Sequence, residues 1–517
     1  MKLNHSRHPA ISLCTTIVLL WVIGCDSAGK PATDTSGTMK SVEEQHDLKA
    51  SQSERTLPEL GAANQGETGL SIAEPISELV PQPVVRPAFV PPKHDLLQLE
   101  AAGIHKYESK SMILYSDIDP NVARTLPPLI DQLVPALENY FQPLPPASDG
   151  SPFQIVGYVM KDQLTFRELD LVPPDLPFFK TGRHRDYRFW MIAQETDYYN
   201  RHLMLHEATH CFMTILPGTK LPKWYFEGMA ELFGTHRLDE QGRLTFRVMP
   251  DNREDFDGWG RIKVLRETMD AGNIKRMEDI FAITSIDPQT EMVDYAWSWA
   301  LAYFLDHHPR YSQQFRSLKD HWLAGGFEEE FNERIGLELL PRLRPEWLWF
   351  AAYLTEGIDV ERAAIDFRPG NFVDKNTPPA IVKADRGWQS SGWRLEEGDT
   401  YRITAEGRVV LGTDPKPWIC EPQGVSIRYY RGKPRGRLVG MIIDEITFPD
   451  HPFYVLPPDF LDSLESIDLG RDMTLIAPLS GTLYLRVNDL WGELTDNTGE
   501  FRANIELVKS RGPVVLP

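Results

Sequence analysis

Cysteine is scarce. The 517-residue chain has four, Cys14, Cys25, Cys211 and Cys420. Two of them fall in the first 25 residues, and the other two lie in different predicted regions, so a disulfide framework is excluded. Positive charge is also short. Lys and Arg number 54 against 74 Asp and Glu, for a net charge of −20. A surface of that sign argues against nucleic-acid binding and against adsorption on anionic membranes. The apolar stretch Ala10–Ile23 is too short for a comfortable transmembrane span. Internal repeats are absent, and residues 26–95 have no sustained apolar period.

What is present begins with a targeting pattern. Lys2 and Arg7 precede Ala10–Ile23, and Val22-Ile23-Gly24-Cys25 closes the stretch. A basic start, an apolar middle and a small-residue end read as a signal segment over residues 1–25, with an uncleaved signal anchor as the alternative. The ending resembles the lipobox of bacterial lipoproteins. That resemblance implies lipidation at Cys25 and attachment to a membrane without crossing it. Residues 26–95, rich in Ser, Thr, Glu, Gln, Gly and Pro, read as a disordered tether that stiffens near Pro81–Pro92.

From residue 96 the pattern is globular. Hydrophobic residues at 42% suffice for sizeable cores, and the length suggests two or three domains. Ser111–Tyr115 and Phe153–Met160 read as strands, and Val122–Phe141 reads as a helix. Tyr187–Gln194 reads as a strand, either at a sheet edge or in its interior. Helical patterns dominate 200–365, including Tyr295–Leu305 and Pro345–Leu354. After Arg368-Pro-Gly come short alternating runs with Gly, Asp and Asn turns, which is all-β composition.

The most informative segment is His206-Glu207-Ala208-Thr209-His210. On a helix over 200–216 the two histidines lie one turn apart on one face, so both can reach one zinc ion. Glu207 is placed beside them to take a proton from a water held by that ion. Pro217-Gly218 stops the helix and Pro222 starts the next, which carries Glu227 as a third ligand and Glu231 one turn later. From there Glu231 can accept the free N–H of a ligand histidine; a solvated helix residue is the alternative. Cys211 reads as a small buried residue. His307-His308 reads as a helix end, and His184 and His202 as ordinary surface or packing residues.

The pattern H-E-x-x-H followed by Trp224-Tyr-Phe-Glu227-Gly-Met-Ala-Glu231 resembles the gluzincin metallopeptidases, in particular the peptidase-MA-like families. The resemblance covers about residues 100–365. It implies an α+β peptidase domain over 96–368, with His206, His210 and Glu227 as zinc ligands, Glu207 as catalytic base and Glu231 behind the ligands. It also implies that Tyr295, heading Tyr295-Ala-Trp-Ser-Trp-Ala300-Leu301, donates to the oxyanion. A core aromatic is the other reading of Tyr295. In that group the strand before the zinc helix is a sheet edge that pairs with substrate, and Tyr187–Gln194 is its candidate.

A second resemblance covers about residues 380–510. Trp388-Gln389-Ser390-Ser391-Gly392, Leu395-Glu-Glu-Gly-Asp399, Glu421-Pro-Gln-Gly424 and Val487-Asn-Asp489-Leu-Trp-Gly-Glu493-Leu-Thr-Asp496-Asn497-Thr-Gly499 are similar to the LecA/PA-IL calcium-dependent galactose lectins. It implies a jelly-roll-like β-sandwich over 376–517. In it, calcium (Ca2+) is held by side-chain oxygens of Asp489, Asp496 and Asn497 and by main-chain carbonyls at Glu493 and near Leu411. A hydrogen-bonded turn without metal is the alternative. The lectins carry a histidine and a glutamine shortly after the Pro-Gln-Gly segment. Here Val425-Ser-Ile-Arg-Tyr-Tyr-Arg-Gly-Lys stands there, so galactose selectivity is not implied.

The expectation is therefore multidomain. It is an exported, lipid-anchored protein of the periplasm or cell surface, with an α+β zinc (Zn2+) peptidase domain and an all-β glycan-binding-like domain. Its partners would be a peptide or protein substrate, glycans and, through the lipid, a membrane, but no nucleic acid. The alternatives are a non-catalytic surface glycan-binding protein on a peptidase scaffold, and zinc hydrolysis of a non-peptide substrate.

Overall fold

The computed structural model describes residues 85–216, 221–286, 290–318, 331, 336–413, 416–444 and 466–512. The targeting segment with Cys25, most of the tether and the Pro217-Gly218 stop lie outside the described residues. Among the described residues no helix is long and apolar enough to cross a membrane. Packed structure begins before residue 96. Arg86 forms a β-bridge with Ala147, and Phe89 is buried, with its ring 5.1 Å from that of Tyr187. The tether reading thus runs too far, because an aromatic in its last turn finds an apolar face to cover.

The first sheet is built from β1 (His105–Glu108), β2 (Met112–Ser116), β3 (Ile155–Met160), β4 (Gly182–Arg185) and β5 (Arg188–Ile192). Their order is β1-β2-β3-β5-β4. The three inner strands are parallel, and β1 and β4 run antiparallel at the two edges. β2 and β3 are buried at every position, as parallel strands covered on both faces must be. Met112, Leu114, Ile155 and Val159 face the helices, while Ile113, Tyr115, Val156 and Tyr158 face Phe89, Leu99 and Phe166.

Two expectations shift here. The helix at Val122–Phe141 is two helices, Pro120–Ala123 and Pro127–Tyr140. Pro127-Pro128 opens a helix well, but neither proline has an N–H to continue the hydrogen-bond ladder of the helix before it. The strand at Tyr187–Gln194 is β5, an interior strand, and the sheet edge is β4. Gly182-Arg-His-Arg185 has no apolar alternation and so gives no strand signal of its own. It is held by its hairpin with β5, turned at Asp186, whose φ is 54°.

The motif helix, Asp197–Ile215, starts at Thr196, whose side chain accepts the N–H of Tyr199. It is covered on all sides and runs through the core. Lys223–Gly234 packs across it and against the long helix Glu291–His307. Gly228 permits that second crossing. A Cβ there would lie 2.6 Å from the carbonyl oxygen of Ser298, so any other residue would push the helices apart. This close approach brings Glu227 and Tyr295 to the same histidine, His206.

The C-terminal region is β-rich, as expected. One sheet has the order Gln423–Tyr430, Lys433–Ile443, Gly481–Val487, Gln389–Leu395, Asn371–Phe372. The other has Ile419–Cys420, Thr400–Val410, Thr498–Lys509, Ala380–Lys383. Trp393, Tyr401, Leu438, Leu485 and Phe501 share one core between them. Cys211 and Cys420 are both buried free thiols.

The two regions are joined by apolar contact. Trp491 is buried, with its ring 4.2 Å from Trp349 and 5.7 Å from Tyr353. The Arg486 guanidinium lies 3.6 Å from the centre of the Trp491 ring, and that of Arg431 lies 3.9 Å from Tyr353. Arg431 holds a left-handed φ of 47° to make that contact. Non-glycine residues seldom take that conformation.

Candidate metal centre

The motif helix places His202, His206 and His210 one above another at successive turns, all buried. The Nε2 atoms of His206 and His210 are 3.0 Å apart. The Oε2 atom of Glu227 is 3.0 Å from the second of these and 3.4 Å from the first. Four tetrahedral ligands about 2.05 Å from zinc stand about 3.3 Å from one another, so this triangle has the size the ion demands. The other oxygen of Glu227, Oε1, takes the ammonium of Lys223 at 2.6 Å, which leaves Oε2 for the triangle. Burial opposes charge on Glu227, but His210, His206 and Lys223 hold its carboxyl well below the usual range. Burial pulls His210 down to about 4, keeping it the neutral imidazole a metal needs.

Glu231 sits behind this triangle. Its Oε1 is 3.5 Å from Nδ1 of His206. Arg261, itself buried, grips the same carboxylate with Nη2 at 2.7 Å and Nε at 3.2 Å. The Trp259 indole N–H donates at 3.3 Å, and His202 Nε2 stands 3.3 Å away. Burial opposes its charge, yet Arg261, His202 and His206 hold Glu231 well below the usual carboxylate range. Glu231 is therefore a buried ionised group and not a solvated helix residue. His202, His206 and Glu231 form a second cluster close enough to hold a metal, but Arg261 already supplies its positive charge.

Glu207 is buried next to the triangle, and β4 closes over it. A Cβ on Gly182 would fall 2.2 Å from Glu207 Oε1, so any other residue there would displace the Glu207 side chain. His184, two residues along the same face of β4, places Nδ1 at 3.5 Å from Glu207 Oε2. Its ring lies 4.4 Å from His210 and 5.5 Å from Phe226. Burial opposes ionisation of Glu207, but His184, His206 and His210 together bring its carboxyl below the ordinary value. The reading of His184 and His202 as ordinary surface or packing residues is thus corrected, since one faces Glu207 and the other Glu231. These contacts are formed across the fold, out of sight of local sequence.

Tyr295, on the long helix, sets its ring 5.9 Å from that of His206, and the Arg261 guanidinium is 5.8 Å from its centre. Burial, and then Glu227, Glu291 and Glu207, push its phenol up, so it stays a proton donor. Among the described residues no strand pairs with the outer edge of β4. Ile192 N–H bonds to Thr181 O, so by antiparallel alternation the main-chain groups of Gly182 and His184 point away from β5. The Gly182 carbonyl is met by the Arg183 guanidinium at 2.7 Å.

The C-terminal loop is arranged differently. Asp489 and Asn497 are buried and bonded to each other, Nδ2 to Oδ2 at 2.9 Å, while Glu493 and Asp496 are exposed. Asp496 lies beside Gly412, just after Leu411. The guanidinium of Arg435 pairs with both Asp489 and Glu493. Among the described residues the two side-chain groups able to hold a metal are the His/Glu clusters above.

No family model matches the chain, and no curated protein matches it. Among solved structures, the chain is similar to one described as "EclA N-terminal domain; PllA-like lectin". That likeness has 22% sequence identity and a TM-score of 0.19, and it covers 25% of this chain and 95% of the other.

Proposed function

We propose that this chain is a zinc-dependent peptidase. The observation that carries the reading is the triangle of His206, His210 and Glu227 atoms with Glu207 buried at its side. A zinc ion held by those three residues would polarise a carbonyl and acidify water. The chain's own groups supply the rest. Glu207 accepts the proton of the attacking water and passes it to the leaving amine. Tyr295 donates its hydroxyl proton toward the developing oxyanion. The open edge of β4 offers N–H and C=O groups to an extended peptide, which is how a sheet edge recognises a strand.

The intact Glu207 favours catalysis over a glycan-binding protein on an idle scaffold. Dialysed full-length protein should carry one zinc per chain and cleave members of an internally quenched peptide library. Cleavage should stop with chelator and return with zinc. A chain that takes up no zinc would overturn the proposal.

Export and lipidation at Cys25 follow as the second part of the reading, carried by the lipobox spelling alone. Labelling with an alkyne fatty acid should mark the wild-type chain and miss Cys25→Ser. Glycan binding by the C-terminal region rests on its sequence resemblance. A calcium ion fits the loop poorly, since Arg435 already pairs with Asp489 and Glu493.

A further inference from the structure

We propose that His184 is a positioning residue that ties the substrate strand to the catalytic base. This deepens the peptidase reading and rests on it. One residue faces two ways. Its main-chain N–H and C=O lie on the open edge of β4, where an extended peptide would pair. Its imidazole turns inward, with Nδ1 at 3.5 Å from Glu207 Oε2. That oxygen is buried and has no hydrogen-bond partner of normal length among the described residues. A buried acceptor left so costs free energy, and His184 is the donor in reach.

The separation exceeds a normal bond by about half an ångström, as is common before substrate binds and catalytic contacts tighten. Room for the arrangement comes from Gly182, whose missing side chain lets the strand lie directly on the Glu207 carboxylate. The stacked His210 and Phe226 rings pack on one side of the imidazole, which restricts its swing in that direction. A peptide that lengthens the sheet at β4 would therefore fix the strand, the strand would fix His184, and His184 would fix Glu207. The base would then be held in its productive rotamer only when a substrate backbone is in place.

Two measurements on the full chain test this. On a peptide cleaved from the quenched library, His184→Ala should lower kcat at least about tenfold and move KM less than about threefold, since the edge groups are main-chain. His184→Asn, whose amide nitrogen falls near Nδ1, should recover most of the loss. The second measurement needs neither metal nor activity. In the metal-free protein, melting temperatures of His184→Ala, Glu207→Gln and the double variant form a thermodynamic cycle. Contacting residues are non-additive, so the double variant should lose at least about 2 °C less than the two single losses together.

Additive melting losses would overturn the proposal, and so would a kcat unchanged in His184→Ala. If the wild-type chain takes up no zinc or cleaves no peptide, the peptidase reading fails on that result. The melting cycle still decides whether His184 holds Glu207.

Discussion

The helical region and the β-rich region each gather carboxylates with imidazole or amide groups, and each gathering has the spelling of a metal site. They differ in where the positive charge comes from. In the helical region three ligand atoms stand 3.0 to 3.4 Å apart, and the cations nearby, Lys223 and Arg261, bind the distal oxygen of Glu227 and the carboxylate of Glu231. The centre of the triangle is where the proposed zinc would sit. In the β-rich region Arg435 reaches between Asp489 and Glu493 and neutralises them from within. Carboxylate spacing alone does not separate these cases, because a guanidinium and a divalent ion satisfy the same oxygens.

The largest effect that would break this comparison lies in the first cluster. His210→Ala removes one corner of the triangle, and dialysed protein should fall from one zinc per chain to less than about a tenth. Full zinc retention would show that the ion, if any, sits elsewhere. Next is Glu207→Gln, which leaves the corners in place. Zinc should stay while peptide turnover drops at least about a hundredfold, in the range of acid–base groups. Tyr295→Phe, lacking only its hydroxyl, should cost about ten- to a thousandfold in kcat with zinc retained. Unchanged turnover in either variant would remove that residue from the mechanism.

The motif helix, Glu227 and Glu231 were legible in the sequence because the helix repeat places them from spacing alone. Tyr295 came from the resemblance and not from the helix repeat, and the structure sets its ring 5.9 Å from that of His206. His184 was not, since β4 is four polar residues that become a strand only by pairing with β5. Arg261 lies 30 residues from Glu231, and Arg435 lies 58 from Glu493, so no local pattern announces either pairing. The sheet's parallel strands were found from their apolar runs. The true edge was missed because edge strands are often short and polar.

Arg261→Gln sharpens the contrast further. It strips the cation from Glu231, leaving a fully buried carboxylate underpaired, a change that commonly costs about 3–5 kcal/mol. The melting temperature should drop clearly at pH 7. The sign with pH follows from Glu231, whose folded pKa is depressed. Its stabilisation is present above the unfolded value of about 4.3 and is lost as pH falls through the folded value. The wild-type and variant melting temperatures should therefore converge on acidification below about pH 4. A gap that stays constant down to low pH would place the stabilising charge on another group.

The smallest effect is expected at the C-terminal loop. With Arg435 paired to Asp489 and Glu493, calcium has to displace a guanidinium that is already nearly buried. About 10 mM calcium should then shift the melting temperature of the full chain by less than about 1 °C. In Arg435→Ala the buried Asp489 loses its cation and keeps only the Asn497 amide, so the variant should melt several degrees lower. The vacated space is lined by carboxylate oxygens of Asp489 and Glu493, which suit a hard cation. Calcium, binding the folded form only, should recover part of that loss in a concentration-dependent way, while magnesium, which requires tighter octahedral geometry, should recover less. Calcium rescue confined to the variant would establish that arginine and ion compete for one place. A wild-type chain that calcium stabilises strongly would instead mean that Arg435 yields to the ion, and the two regions would then differ in affinity and not in kind.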